Sequence, residues 1–194
     1  MQKLFVTQIL IAIFWLVFVV EMLVSESLSP DIQTLVTMGG MIPTLAKDPA
    51  HSYRFWVHMF LHGSLLHIIM NSIALHFAGR FLEMMVGRFW TLATFLVSGY
   101  GAAHVAMHFS DPQTVLIGAS GGVMGVLGAM LFCAFLLPKS PIRKELIRSS
   151  YQIIIPSLIP LFSGVSYSAH LGGVLVGLVC GFLITFFLRI RRRF

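Results

Sequence analysis

The sequence predicts an all-α membrane protein, and three observations carry that prediction. Of the 194 residues, 57% are hydrophobic and only 10% are charged, against about 25% charged in soluble domains, so one water-soluble core cannot hide the apolar surface. The apolar residues gather into six runs, near 4–24, 64–84, 89–108, 118–137, 150–166 and 169–188, of about the length that crosses hydrocarbon as a helix. The basic residues sort by loop. Eleven of the thirteen (Lys3, Arg80, Arg88, Lys139, Arg143, Lys144, Arg148, Arg189, Arg191, Arg192 and Arg193) fall at the two ends and in the even-numbered loops, and only Lys47 and Arg54 fall opposite. The positive-inside rule therefore expects both termini in the cytoplasm. It also accounts for the net charge of +6 without a nucleic-acid partner, and the basic tail reads as a headgroup anchor on the bilayer.

Taken in order, the first run is too long for the apolar core of a signal peptide and lacks an Ala-x-Ala cleavage pattern, so it is expected to remain as a span. An outer loop, 25–58, follows; with Pro30, Pro43, Pro49 and Gly39–Gly40 it is long for a structureless connection and is expected to hold local structure. Its Phe55 and Trp56 suit the headgroup level. "SDPQT" at 110–114 turns between spans three and four, and "PKSPIRKE" at 138–145 breaks the chain after span four. Span five contains Pro156 and Pro160 and is expected to kink. Cys133 and Cys180 fall inside spans, which argues against a disulfide framework. A single domain, 1–194, is expected.

Polar side chains inside such spans point to function. Ser120 opens span four in "IGASGGVMGVLGAM", and Gly121, Gly125 and Gly128 form one stripe along which another helix backbone can come close. A lone serine in a span ordinarily bonds its own helix, but this one lies at a helix amino terminus, where unpaired N–H groups favour negative charge. His170 opens span six in "YSAHLGGVLVGLVCG", with Gly173 and Gly177 on its face. If the two spans are neighbours, a hydroxyl and an imidazole meet at similar depth as nucleophile and base. Neither Glu21 nor Glu83 is placed to complete a triad, which leaves a dyad. His67 and Asn71, spaced i, i+4 in "HIIMN", share a face, and both can donate to a developing oxyanion. The rival for His58, His62 and His67 is a zinc site, but no His-Glu-x-x-His motif accompanies them and carboxylate and cysteine ligands are missing nearby. His76, His104 and His108 read as structural or interfacial. No metal and no cofactor are expected.

With these residues assembled, the sequence resembles the rhomboid family of intramembrane serine proteases from Tyr53 to Gly177. "GASG" at 118–121, "HMFLHGSLLHIIMN" at 58–71, Glu83 to Gly87, and "AHLGGVLVG" at 169–177 look like the family's motifs. The resemblance implies a six-transmembrane-helix rhomboid bundle opening through a water-filled cavity to the outside, with Ser120 as nucleophile and His170 as base. It further implies an oxyanion site from His67, Asn71 and the Ser120 backbone N–H, a structural His62, and a first loop lying half-embedded. Three positions depart from the family pattern. Met124 stands where an aromatic commonly packs on the catalytic histidine, Tyr53 precedes Arg54 where the family commonly has Trp, and Ser168 replaces a small Gly or Ala. The expected activity is hydrolysis of a peptide bond in or near the transmembrane segment of single-span membrane-protein substrates, in a plasma membrane of the bacterial inner-membrane type. The alternative is a non-catalytic rhomboid-like protein that binds membrane clients, although inactive relatives generally lack the serine or histidine kept here. A histidine-based metal or proton transporter lacks the paired broken helices of that class.

Overall fold

A computed structural model describes residues 5–159 and 166–191. Its regular elements, among the described residues, are all helical. Long helices α1 (Val6–Ser25), α4 (Leu65–Val86), α5 (Arg88–Phe109), α6 (Ser120–Phe135), α7 (Pro141–Ser157) and α8 (Tyr167–Arg191) are joined by loops. The first loop carries short helices α2 (Ile32–Thr37) and α3 (Arg54–Val57) with three 3-10 turns. Three helices, Val6–Ser25, Leu65–Val86 and Tyr167–Leu188, are long and apolar enough to cross a membrane. In α5, polar residues such as Thr91, Thr94, Ser98 and His104 dilute the run, and α6 is apolar but has only 16 residues.

Local chemistry sets the helix ends. Ser64 caps α4 by accepting the His67 N–H at 3.2 Å, which satisfies one orphan donor of the first turn. Gly87 closes α4 with its N–H on the Glu83 carbonyl at 2.9 Å and lies at φ +88°, a conformation that favours glycine, so α5 can start at the next residue. The Glu83 carboxylate accepts from the Val6 and Thr7 N–H groups at 2.9 and 3.2 Å and from the Thr7 hydroxyl at 2.9 Å, and pairs with Arg88 at 3.4 Å. One buried acid thus caps α1 and ties it to the foot of α4.

The sequence places span five at 150–166 and a break over 138–145; α7 instead begins at Pro141. Ser140 accepts the Arg143 N–H at 3.2 Å and Pro141 occupies the first turn, a strong start signal that the apolar pattern does not reveal. Pro156 sits in the last turn of α7, while Pro160, with the rest of 160–165, lies outside the described residues, as do Arg192 and Arg193 of the basic tail.

Helix α6 is the centre of the molecule. It packs against α4, α5, α7 and α8, and every residue from Gly121 to Leu131 is buried. Its neighbour α8 approaches through glycines. A Cβ on Gly177 would clash with the Gly125 carbonyl, one on Gly173 with the Gly121 carbonyl, and one on Gly128 would stand 2.6 Å from the Val174 oxygen. The two stripes foreseen on spans four and six therefore face each other at backbone contact distance.

Candidate active site

Four sequence-selected side chains lie on three of these helices. Ser120 is the first residue of α6 and is half-buried. His170 lies in the first turn of α8 and is 8% exposed. Because Gly121 and Gly125 meet Gly173 and Gly177, the starts of α6 and α8 lie at the same end of the bundle, and a Cβ on Gly121 would come within 3.9 Å of the Ala169 carbonyl.

The His170 ring is held from a third helix. Its Nδ1 lies 2.9 Å from the carbonyl of Ser157 at the end of α7. A carbonyl only accepts, so Nδ1 carries the proton and Nε2 of the neutral ring keeps its lone pair. This main-chain acceptor stands where a triad would use a carboxylate. No sequence signal announces it, because any residue at position 157 presents the same carbonyl. Ser120 Oγ makes no hydrogen bond to His170 among the described residues; contacts of this kind commonly tighten only when substrate is bound.

His67 and Asn71 stand one turn apart on α4 and approach the segment that leads into Ser120. A Cβ on Gly118 would lie 2.6 Å from His67 Cε1 and Nε2, and 3.8 Å from Asn71 Nδ2. Gly118 has φ +107°, so this position requires glycine both for its backbone and for the space the imidazole takes. Asn71 Nδ2 is buried without a hydrogen-bond partner among the described residues. An unpaired buried amide donor is costly, and this one lies beside Gly118, two residues before Ser120. The i, i+4 spacing in the sequence points to the amide but not to the role of Gly118, although "GASG" contains it.

The first loop braces this segment. Met41 and Leu116 exchange backbone hydrogen bonds at 2.9 and 2.8 Å, and the Gly118 N–H donates to the His58 carbonyl at 2.9 Å. Arg54, buried, donates through Nη1 to the carbonyls of Val36 and Gly40 at 2.7 Å each, and His58 Nδ1 donates to the Arg54 carbonyl at 3.0 Å. Burial pushes the His58 pKa down to about 4. Burial, helped by the nearby His67, pushes that of His62 down to about 3. Both loop imidazoles are neutral at pH 7 and act as hydrogen-bonding struts.

The remaining sequence selections are dispersed. His104 stacks on Phe55 with ring centroids 4.3 Å apart, His108 bonds the His104 carbonyl through Nδ1, and His76 lies against Phe77. Among the described residues no three His, Cys, Asp or Glu side chains are grouped to hold a metal ion. Met124 is buried in the main core, and Ser168 bonds the hydroxyls of Ser110 and Ser166 at 3.1 and 3.2 Å.

An all-helical bundle with three helices long and apolar enough to cross a membrane, and a hydroxyl and an imidazole at the starts of the glycine-packed helices α6 and α8, fits a multi-pass membrane protein. The rhomboid domain model matches residues 49–186, and the chain belongs to the rhomboid family. It is 32% identical over 162 residues to RHOMBOID-like protein 5 of Arabidopsis thaliana, covering 81% of this chain and 52% of the relative. It is 28% identical over 149 residues to Rhomboid protease AarA of Providencia stuartii, covering 64% and 53%. Inactive rhomboid protein 1 of Drosophila melanogaster is 24% identical over 160 residues, covering 82% and 11%. The chain thus spans about half the length of the first two and a small part of the third.

Proposed function

We propose that this protein is an intramembrane serine endopeptidase that cuts single-span membrane proteins in or near their transmembrane segment with a Ser120–His170 dyad. The observation that carries the reading is the glycine junction of α6 and α8, which supports a hydroxyl and an imidazole at the same end of the bundle, with the ring's Nδ1 already committed to Ser157. In the reaction, Ser120 Oγ attacks the scissile carbonyl carbon while His170 Nε2 takes the hydroxyl proton. The carbonyl oxygen becomes an oxyanion that accepts from Asn71 Nδ2, His67 and the Ser120 N–H. Collapse of this intermediate breaks the C–N bond, and the amine leaves with the proton from Nε2. Water then gives a proton to Nε2 and attacks the acyl carbon, and collapse of the second intermediate breaks the C–Oγ bond, releasing the acid as Nε2 returns the proton to Ser120 Oγ.

Six membrane spans and both termini in the cytoplasm, an orientation supported by the distribution of Lys and Arg, complete the proposal, together with a bacterial inner-membrane location. The 16 residues of α6 rise about 24 Å at 1.5 Å each, short of the roughly 30 Å of hydrocarbon. In this reading the buried Gly118–Ala119 segment enters the bundle at membrane depth, where non-helical backbone is tolerated only inside protein or against water. A non-catalytic client-binding protein is the second reading, favoured by the similarity to an inactive rhomboid protein.

The deciding experiment incubates the detergent-solubilised protein with a single-span reporter and, in parallel, a fluorophosphonate probe. Cleavage and labelling at Ser120 are expected for wild type, and both are lost in Ser120→Ala. His170→Ala abolishes cleavage in a folded protein. Reporter binding without cleavage would establish the second reading, and activity surviving either substitution would refute the dyad.

A further inference from the structure

The buried face of α1 consists of Thr7, Leu10, Phe14, Phe18 and Glu21. Four of these have an evident reason to be there: Thr7 meets Glu83, and the next three fill the core. Glu21 is the outlier. It is fully buried at 0% exposure in a helix of mean hydropathy 2.4, and an ionisable side chain in such a helix calls for a function with a named partner.

Its partner is the main chain of His62. Both carboxyl oxygens accept the His62 N–H at 3.1 Å, immediately before the turn that starts α4. The His62 ring, also at 0% exposure, bonds the Phe60 carbonyl through Nδ1 at 3.2 Å. It lies between Phe14 of α1, centroids 5.3 Å apart, and His67 of α4, centroids 5.2 Å apart. Its Nε2 is buried without a partner among the described residues, and the ring's place is set by these neighbours and by the backbone that Glu21 holds. The His67 ring in turn fills the space beside Gly118.

From this chain of contacts we propose that Glu21 is a positioning residue for His67: its carboxyl fixes the His62 backbone, and the His62 ring buttresses the His67 ring on the approach to Ser120. A carboxyl suits the task because one rigid acceptor fork spans an N–H that α4 cannot satisfy, and an apolar residue at position 21 would leave that donor buried and unpaired. The inference rests on the proposed protease reading for its kinetic consequence, but the placement of the His67 ring can be read independently of activity.

Glu21→Leu removes the acceptor, and Glu21→Gln keeps one amide oxygen in its place. Two readouts are made on folded protein, checked by thermal unfolding in detergent. In the first, histidine-selective 13C NMR follows the His67 ring signal, assigned by its loss in His67→Ala. The signal shifts in Glu21→Leu and returns toward wild type in Glu21→Gln. In the second, Glu21→Leu lowers kcat by about 10- to 100-fold, the scale of a displaced reacting group, with KM little changed, whereas in the His67→Ala background the same substitution causes no further loss. An unmoved His67 signal, or a loss that adds fully to that of His67→Ala, overturns the proposal. If wild type shows no Ser120-dependent cleavage, the protease reading fails while the NMR result still decides the placement. Should Glu21→Leu not fold, His62→Ala, which keeps the N–H bonded to Glu21 but removes the ring, carries the same two measurements.

Discussion

At the scale of single residues, Asn71 and Gly118 bear most directly on the candidate site. Asn71 carries a buried amide nitrogen with no partner among the described residues, and in the proposed mechanism it donates to the oxyanion. Asn71→Ala is expected to slow cleavage by about 10- to 1,000-fold, up to the loss seen for one oxyanion donor, without lowering the thermal midpoint. A full rate in that variant would show that the amide faces no reacting oxygen. Gly118 is more demanding still, since its φ of +107° and the His67 ring 2.6 Å from a Cβ position both oppose a side chain. Gly118→Ala should push His67 aside and reduce the rate of fluorophosphonate labelling at Ser120. Unchanged labelling would mean the ring can move without consequence.

At the scale of elements, the decisive contact is between α6 and α8. Backbone meets backbone there because glycines stand on both faces, and small residues permit such approach in a medium that offers no hydrophobic drive between helices. Gly173→Leu sets a branched side chain against the Gly121 carbonyl, so the helices must separate and Ser120 leaves the reach of His170. Activity should vanish while the protein remains helical by circular dichroism. Wild-type turnover would show that the junction does not hold the reacting groups. Helix α7 contributes differently: its last turn offers the Ser157 carbonyl to His170, so its position, rather than its side chains, bears on the imidazole's tautomer.

At the scale of the whole molecule, the first loop and the bundle are joined by neutral histidines, and that makes stability depend on pH. The His58 pKa is lowered to about 4 and that of His62 to about 3, whereas both sit near 6.5 in an unfolded chain. Below about pH 6.5 the unfolded chain takes up protons that the folded protein refuses, so stability falls as pH drops toward the folded values of about 3 to 4. Between pH 7 and pH 4 the thermal midpoint in detergent should therefore lose less in His58→Gln than in wild type, because the variant lacks the His58 contribution. Equal slopes in the two proteins would show that His58 is not held neutral by the fold.

The sequence by itself determined the helical membrane character and the glycine stripes, and it singled out Ser120, His170, His67 and Asn71 as candidates. Each is written in local composition and periodicity, which one chain segment carries alone. Only the tertiary structure decided that α7 begins at Pro141, that Glu83 caps α1, that Gly118 makes room for His67, and that the His170 ring is set by the Ser157 carbonyl. Helix starts override apolar pattern where a cap is strong. The other contacts join residues far apart in the chain, and two of them use main-chain groups that every residue possesses, so no side-chain pattern could have announced them.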